Sequence, residues 1–158
     1  MIQNFALQAY NFFCDIISPP QCYSCKAYTK ERVILCSTCQ NNIELIAPKM
    51  FTINDRYILT VYALTRYTEP LRPMIFAKYR SDPGVLKKLA QLIWNHSVLP
   101  HVHVDALIPI PLHWSRNLKR GFNQAEILAD TLSKLSKIPV LYALKRIKKT
   151  QYQVHVEH

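Results

Sequence analysis

Glycine is almost missing from this chain of 158 residues; Gly84 and Gly121 are the only two. That scarcity removes whole classes of nucleotide site. Neither a G-x-x-x-x-G-K-[ST] loop nor a G-x-G-x-x-G fingerprint can be written with glycines placed so far apart. Acid is also scarce, with ten Asp and Glu against twenty Lys and Arg, and no two acidic residues are adjacent. No run approaches the roughly 20 apolar residues that a membrane-spanning helix needs. The N-terminal stretch Met1–Ile17 has no Lys or Arg and no small-residue cleavage site, so it does not read as a secretory signal. Its apolar residues Ile2, Phe5, Ala6, Ala9, Phe13, Ile16 and Ile17 fall on one helical stripe.

What is present points to a folded protein with anionic partners. Hydrophobic residues make up 49% of the chain, enough to bury a core. The formal net charge of +10 favours phosphates, nucleic acid or an acidic protein.

Pro19 and Pro20 end the first helical pattern and introduce a cysteine segment. Residues 41–56 read as a short helix and a connection. Tyr57–Leu64 is β-branched and aromatic, as a strand is. A helical pattern over 68–79 is interrupted by Pro70 and Pro73. The next predicted helix, Val85–Val98, is followed by a buried strand over Asp105–Leu112. The segment Gln124–Ile138 carries Ala125, Leu128, Ala129, Leu132 and Leu135 in helical register. Pro139–Ile147 reads as a further strand. Strands alternating with helices imply βαβ units and a parallel sheet.

Four of the five cysteines form the pattern Cys22-x2-Cys25-x10-Cys36-x2-Cys39. Two intervening residues let both thiolates of a pair converge on one ion, and two pairs complete a closed tetrahedral S4 site. Zinc suits such a site, and a rubredoxin-like iron is the chemical rival with the same ligands. A closed site of this kind is structural and orders a segment too short for its own core. Cys14 lies outside the spacing and is assigned to the apolar helix.

A basic turn precedes the helix at 124. Asn123 is placed to cap that helix, with Glu126 completing a capping-box pattern. Arg116, Lys119, Arg120 and Gly121 come just before it. A strand end, cations, a glycine and free N–H groups at a helix start form an anion site. An ordinary solvated basic loop would have the same composition.

Taken in order, these pieces resemble the ComF (competence protein F, GntX-like) family of phosphoribosyltransferase-like proteins. The resemblance is carried by Pro19-Pro20-x-Cys22-x2-Cys25 with Cys36-x2-Cys39, by Tyr67–Lys78, and by Asp105–Leu112 (DALIPIPL). It continues in Arg120–Ala125 (RGFNQA) and in Lys145-Arg146 followed by Thr150 and Gln153. It implies an α/β fold in which an N-terminal amphipathic helix (1–18) and a four-cysteine zinc finger (19–45, double zinc ribbon-like) precede a type I phosphoribosyltransferase-like parallel sheet with flanking helices (55–158).

The resemblance further implies that Arg116, Lys119, Arg120, Gly121, Asn123 and Gln124 hold the pyrophosphate of phosphoribosyl pyrophosphate (PRPP). Arg146, Thr150 and Gln153 would belong to a loop over that site. Structural Zn2+ is expected on Cys22, Cys25, Cys36 and Cys39. The implied role is the handling of single-stranded DNA in the cytoplasm during natural transformation, alongside competence and DNA-processing proteins.

The chain departs from that pattern in one respect. The adjacent acidic pair and the Thr-Thr-Gly-Thr-like loop that cradle the ribose phosphate are missing, and the sequence stops at His158. It is therefore read as C-terminally truncated, with the PRPP site incomplete and no catalysis expected from it alone. Mg2+ and PRPP would enter only if the missing segment were supplied, for example by a complementing C-terminal fragment, and oligomerisation is a further expectation. Two other readings stay open: an amidophosphoribosyltransferase-like enzyme, and a nucleic-acid-binding zinc module using Tyr23, Tyr28, Lys26, Lys30 and Arg32.

Overall fold

The computed structural model describes residues 15–17, 19–73 and 83–150. The expected helix over 1–18 is represented there only by residues 15–17, which are helical; Cys14, Gln153 and the centre of the 68–79 pattern lie outside the described residues. The chain divides into two compact units, one of residues 1–46 with 65–77, the other of residues 47–64 with 78–158.

The first unit holds the cysteine segment. An antiparallel bridge between Gln21 and Tyr28 closes the first cysteine pair into a hairpin-like knuckle. Helix α1 (Ser37–Asn41) starts directly from Cys36. Ile34, Leu35, Ile43 and Leu71 supply its small buried core. So few apolar side chains are a thin basis for stability, which is why the sulfurs matter here.

In the second unit, β1 (Lys49–Ile53) and β2 (Tyr57–Val61) form an antiparallel hairpin with Phe51 opposite Leu59 and Ile53 opposite Tyr57. Asn54 and Asp55 both adopt positive φ at its tip, 50° and 55°, the signature of a type I′ turn. Asn and Asp tolerate that conformation and do here what glycine does elsewhere. The reading of 41–56 as helix and connection is corrected: the helix ends at Asn41, and the β-branched and aromatic side chains near 51 favour a strand.

Helix α2 (Pro83–His96) buries Val85, Leu86, Ala90 and Leu92 and packs on α4 (Gln124–Ser136), as their apolar periodicity predicts. A 3-10 turn, Leu99–His101, follows α2.

The parallel sheet is not seen among the described residues. The two strands expected over 105–112 and 139–147 reduce to one parallel bridge, Leu107 with Val140, held by Leu107 N–H to Pro139 O and Leu141 N–H to Leu107 O, each 2.9 Å. Prolines 109, 111 and 139 explain part of this, since each withholds a ladder donor. Ile108, Ile110, Leu141 and Leu144 are exposed, so the faces that a sheet would bury are open. The fold is mixed α/β, with a two-stranded antiparallel sheet among the described residues.

Asn123 is the pivot of the second unit. It is 5% exposed; its Oδ1 accepts from Ala125 N–H at 3.1 Å, and its Nδ2 donates to Ile110 O at 3.1 Å and to Glu126 Oε1 at 2.9 Å. One side chain thus caps α4 and ties it to the segment carrying the parallel bridge. Replacing Asn123 by Ala removes a cap worth about 1 kcal/mol and breaks the tie to the Ile110 carbonyl at a further ~1 kcal/mol. Asn123→Ala is therefore expected to lower stability by about 2 kcal/mol in thermal or urea denaturation. A loss below about 0.5 kcal/mol, the range of an ordinary surface substitution, would contradict that role.

Candidate functional site

The cysteine site is built by backbone first. Cys22 N–H donates to Ala27 O at 2.9 Å and Lys26 N–H to Cys22 O at 3.0 Å, closing a tight turn over the first pair. Lys26 sits at φ 62°, a left-handed position that glycine would occupy without strain. Its ammonium donates to Tyr23 O at 2.8 Å and lies 5.9 Å from the centre of the Tyr23 ring. Tyr23 N–H donates to Ile34 O at 3.0 Å, which lays the first pair against the segment leading to the second. Cys36 then takes the N-cap position of α1 without a side-chain cap bond, and Gln40 Nε2 donates to Leu35 O at 2.8 Å.

The result is four Sγ atoms all within 4.8 Å of one another. Cys25 and Cys36 Sγ lie 3.7 Å apart, against the roughly 3.8 Å edge of a tetrahedron with metal–sulfur bonds of about 2.3 Å. Cys22 and Cys39 are buried, whereas Cys25 is exposed. No disulfide joins them; the four are free thiols. Their donor set and spacing fit a tetrahedral ion, and the closed S4 set leaves no coordination position for a substrate.

The charge state of the metal-free cluster follows from its surroundings. Burial pushes the Cys22 thiol up, but the backbone N–H groups of Cys36, Cys25 and Ser24 outweigh it and bring it down to about 6. Burial and the neighbouring Cys25, Cys36 and Cys22 sulfurs push Cys39 up to about 12. The four sulfurs cannot share that volume as four anions without a cation. A divalent ion held by Cys22, Cys25, Cys36 and Cys39 would relieve the repulsion and displace the Cys39 proton.

The residues of the expected nucleic-acid module are partly engaged within the finger. Arg32 Nη2 pairs with Asp15 Oδ1 at 2.8 Å, both side chains about half exposed, so the pair contributes little to stability. Tyr28 is exposed.

In the second unit the expected basic turn is a helix, and that expectation is corrected. Trp114–Arg120 form α3, begun by His113, whose Nδ1 accepts from Ser115 N–H at 3.4 Å and lies 2.9 Å from Ser115 Oγ. His113 is buried. Gly121 ends α3 at φ 79°, its N–H donating to Asn117 O at 2.7 Å. A Cβ at Gly121 would meet nothing within 4 Å, so glycine is there for its backbone angle.

The remaining candidates are placed as follows. Arg120 Nη1 lies 3.4 Å from Gln124 Oε1. Lys119 is exposed on α3. Arg116 Nη2 donates to the carbonyl oxygen of Thr150, and Arg146 Nη2 donates to Thr150 Oγ1 at 2.6 Å. Side chains from α3 and from the segment after Val140 therefore meet at Thr150. Asn123 spends its side chain on the cap, on the Ile110 carbonyl and on Glu126. Trp114, at the start of α3, is 68% exposed and was not singled out by the sequence. Its position at i−4 from exposed Leu118 was the available signal.

The second unit also holds an open groove of about 410 Å³, lined by Tyr62, Trp94, Leu107, Ala125 and Leu132 among others. Its lining is apolar almost throughout, with no converging charged groups, so it provides no chemistry of its own. No helix among the described residues is long and apolar enough to cross a membrane.

Together these features define a protein with a four-cysteine cluster that could hold a metal ion and a mixed α/β unit bearing a basic helix. No family model matches the chain, and no solved structure matches it. The chain is similar to competence protein F of Haemophilus influenzae, at 35% identity over 98 residues, covering 55% of this chain and 41% of that protein. That similarity agrees with the resemblance to the ComF family, and the chain spans less than half the length of the curated protein it matches.

The cysteine geometry gives two expected outcomes. The purified chain binds one zinc per molecule by elemental analysis, and Cys39→Ser or Cys22→Ser abolishes tight binding and melts the first unit; full zinc retention in either variant would disprove the S4 set. Because Cys39 keeps its proton to about pH 12 in the free cluster, zinc affinity rises with pH throughout the neutral range. Calorimetry in buffers of different ionisation enthalpy is expected to register protons released on binding, and none released would contradict the assignment.

Proposed function

We propose that this chain serves natural transformation as a handler of single-stranded DNA in the cytoplasm, with its finger held by zinc. The observation that carries the reading is the meeting of Arg116 and Arg146 at Thr150. It joins two runs, 114–122 and 143–150, which contain seven Lys or Arg and no acidic residue. Phosphates spaced along a strand suit such a surface, and an exposed Trp114 adds a face on which a base can stack. The similarity to competence protein F supports the biological setting.

The finger's part in this is structural. Zinc is favoured over iron because the closed S4 set is joined to no other group suited to electron transfer. Loaded with zinc, the finger would hold Tyr23 and the core around Leu35 in place.

A phosphoribosyltransferase-like reading rests on the same convergence. The parallel bridge of Leu107 with Val140 supports a parallel sheet of that type in a longer form of the protein. Arg116, Lys119 and Arg120 would then meet pyrophosphate, with Arg146 and Thr150 beside them. Asn123 and Gln124 would act by fixing the start of α4. Mg2+ and PRPP belong to this reading only with an acidic pair supplied by further chain.

Fluorescence anisotropy with a labelled single-stranded oligonucleotide separates the readings. Affinity is expected to fall steeply with salt, and Lys148→Ala with Lys149→Ala to reduce the log–log slope by about 1.4, at about 0.7 per phosphate contact on single strands. Trp114→Ala is expected to weaken binding at every salt concentration. If the Lys26→Ala, Arg32→Ala pair abolished binding while the other variants did not, the site would lie on the finger instead. Binding of PRPP by this chain alone, seen in calorimetry, would overturn the reading that its PRPP site is incomplete.

A further inference from the structure

The hairpin β1–β2 has an unusual distribution of side chains. Residues opposite each other across an antiparallel pair share a face, so Phe51 and Leu59, Ile53 and Tyr57, and Lys49 and Val61 lie together on one side. Apart from Lys49 and the Tyr57 hydroxyl that face is apolar. Phe51, Ile53, Tyr57, Leu59 and Val61 are each between 42% and 67% exposed. The opposite face, with Met50, Thr52, Ile58 and Thr60, is mixed. A two-stranded hairpin is marginal alone in water, and an apolar face on one requires cover.

From this we infer that the apolar face of the hairpin is a homodimer interface, packed against the same face of a second copy about a two-fold axis parallel to the strands. That axis places β1 of one copy over β2 of the other. Phe51 then faces the partner's Leu59, Tyr57 faces the partner's Ile53, and Lys49 lies at the rim over the partner's Val61. Each aromatic ring meets an aliphatic side chain, the Lys49 ammonium and the Tyr57 hydroxyl belong to the pairs at the two ends of the face, and the sheets pack aligned at about 10 Å.

Charge argues for a second copy over a foreign partner. The whole chain carries +10, but within residues 49–62 the charged side chains are Lys49, Asp55 and Arg56 alone. Two copies can meet at this face without the repulsion that their net charge imposes elsewhere. An acidic partner, drawn by the chain's field, would be steered to the basic runs instead. The area is also adequate. Five large side chains exposed to this extent offer on the order of 500 Å² of apolar surface per copy, the centre of an interface of roughly 600–800 Å² a side.

The test is the mass of the zinc-loaded full chain by sedimentation velocity or light scattering over a concentration series. A species of twice 18.4 kDa is expected, dissociating on dilution. Leu59→Lys and Tyr57→Lys together are expected to raise the dissociation constant by about 100-fold or more, as loss of central contacts does. Thr52→Lys, a like charge on the opposite face, is expected to leave it within about threefold. Unchanged zinc content and circular dichroism exclude unfolding as the cause, since these positions are at the surface. A chain that stays at 18.4 kDa at every concentration would overturn the inference. So would a Thr52→Lys variant as disruptive as the Leu59 and Tyr57 pair.

Discussion

Mutual repulsion among four sulfurs gathered within 4.8 Å of one another is the constraint on which the first unit depends. Backbone N–H groups aimed at Cys22 favour one thiolate, and the crowding of the others suppresses ionisation at Cys39. The polypeptide thus gathers four donors that could all be thiolates together only with a cation between them. The few buried side chains around Leu35 and Ile43 would not by themselves hold the two cysteine pairs in register. Lys26, in a left-handed turn with its ammonium folded back on Tyr23 O, shows the chain reaching the knuckle geometry without a glycine.

The second unit is organised by polar bonds as well as by core. The α2–α4 contact is conventional helix packing, driven by Val85, Leu86, Ala90 and Leu92. Asn123 orients α4 against the strand-like segment before it, because the side chain that starts the helix also holds the Ile110 carbonyl. Short helix α3 is thereby set between two fixed ends, His113 and Gly121. Arg116 on α3 can then reach Thr150, and two cationic runs distant in sequence come together. Bringing like charges side by side costs free energy unless an anion neutralises them. That is the physical ground for reading this surface as a binding surface.

The parts legible in the sequence were those decided locally. The cysteine spacing pointed to the ligand set, because two residues between thiolates nearly determine the turn. The cap at Asn123 and the helices at 83–96 and 124–136 followed from side-chain type and periodicity. The strand at 57–61 was legible from its β-branched and aromatic residues, but its partner at 49–53 was not, because Pro48 and Lys49 mask the start of the run. The basic segment was misread as a turn. Arg116, Lys119 and Arg120 looked like loop residues, yet none of the residues from Trp114 to Arg120 breaks a helix, and Gly121 stops it only at the end. The parallel sheet depended on pairings far apart in sequence, which no local pattern determines; here they are limited to Leu107 and Val140.

The antiparallel bridge of Leu45 with Thr65 gives the hairpin a further property. Residues 47–64 leave the first unit and return to it on either side of that bridge. The excursion therefore begins and ends beside one bridged pair of residues. Closing a loop of that size costs on the order of 2–3 kcal/mol of chain entropy, and the cost grows only slowly with length. An excursion closed in this way tolerates insertions at its tip, beside Asn54 and Asp55, while the bridged pair Leu45 and Thr65 keeps its register.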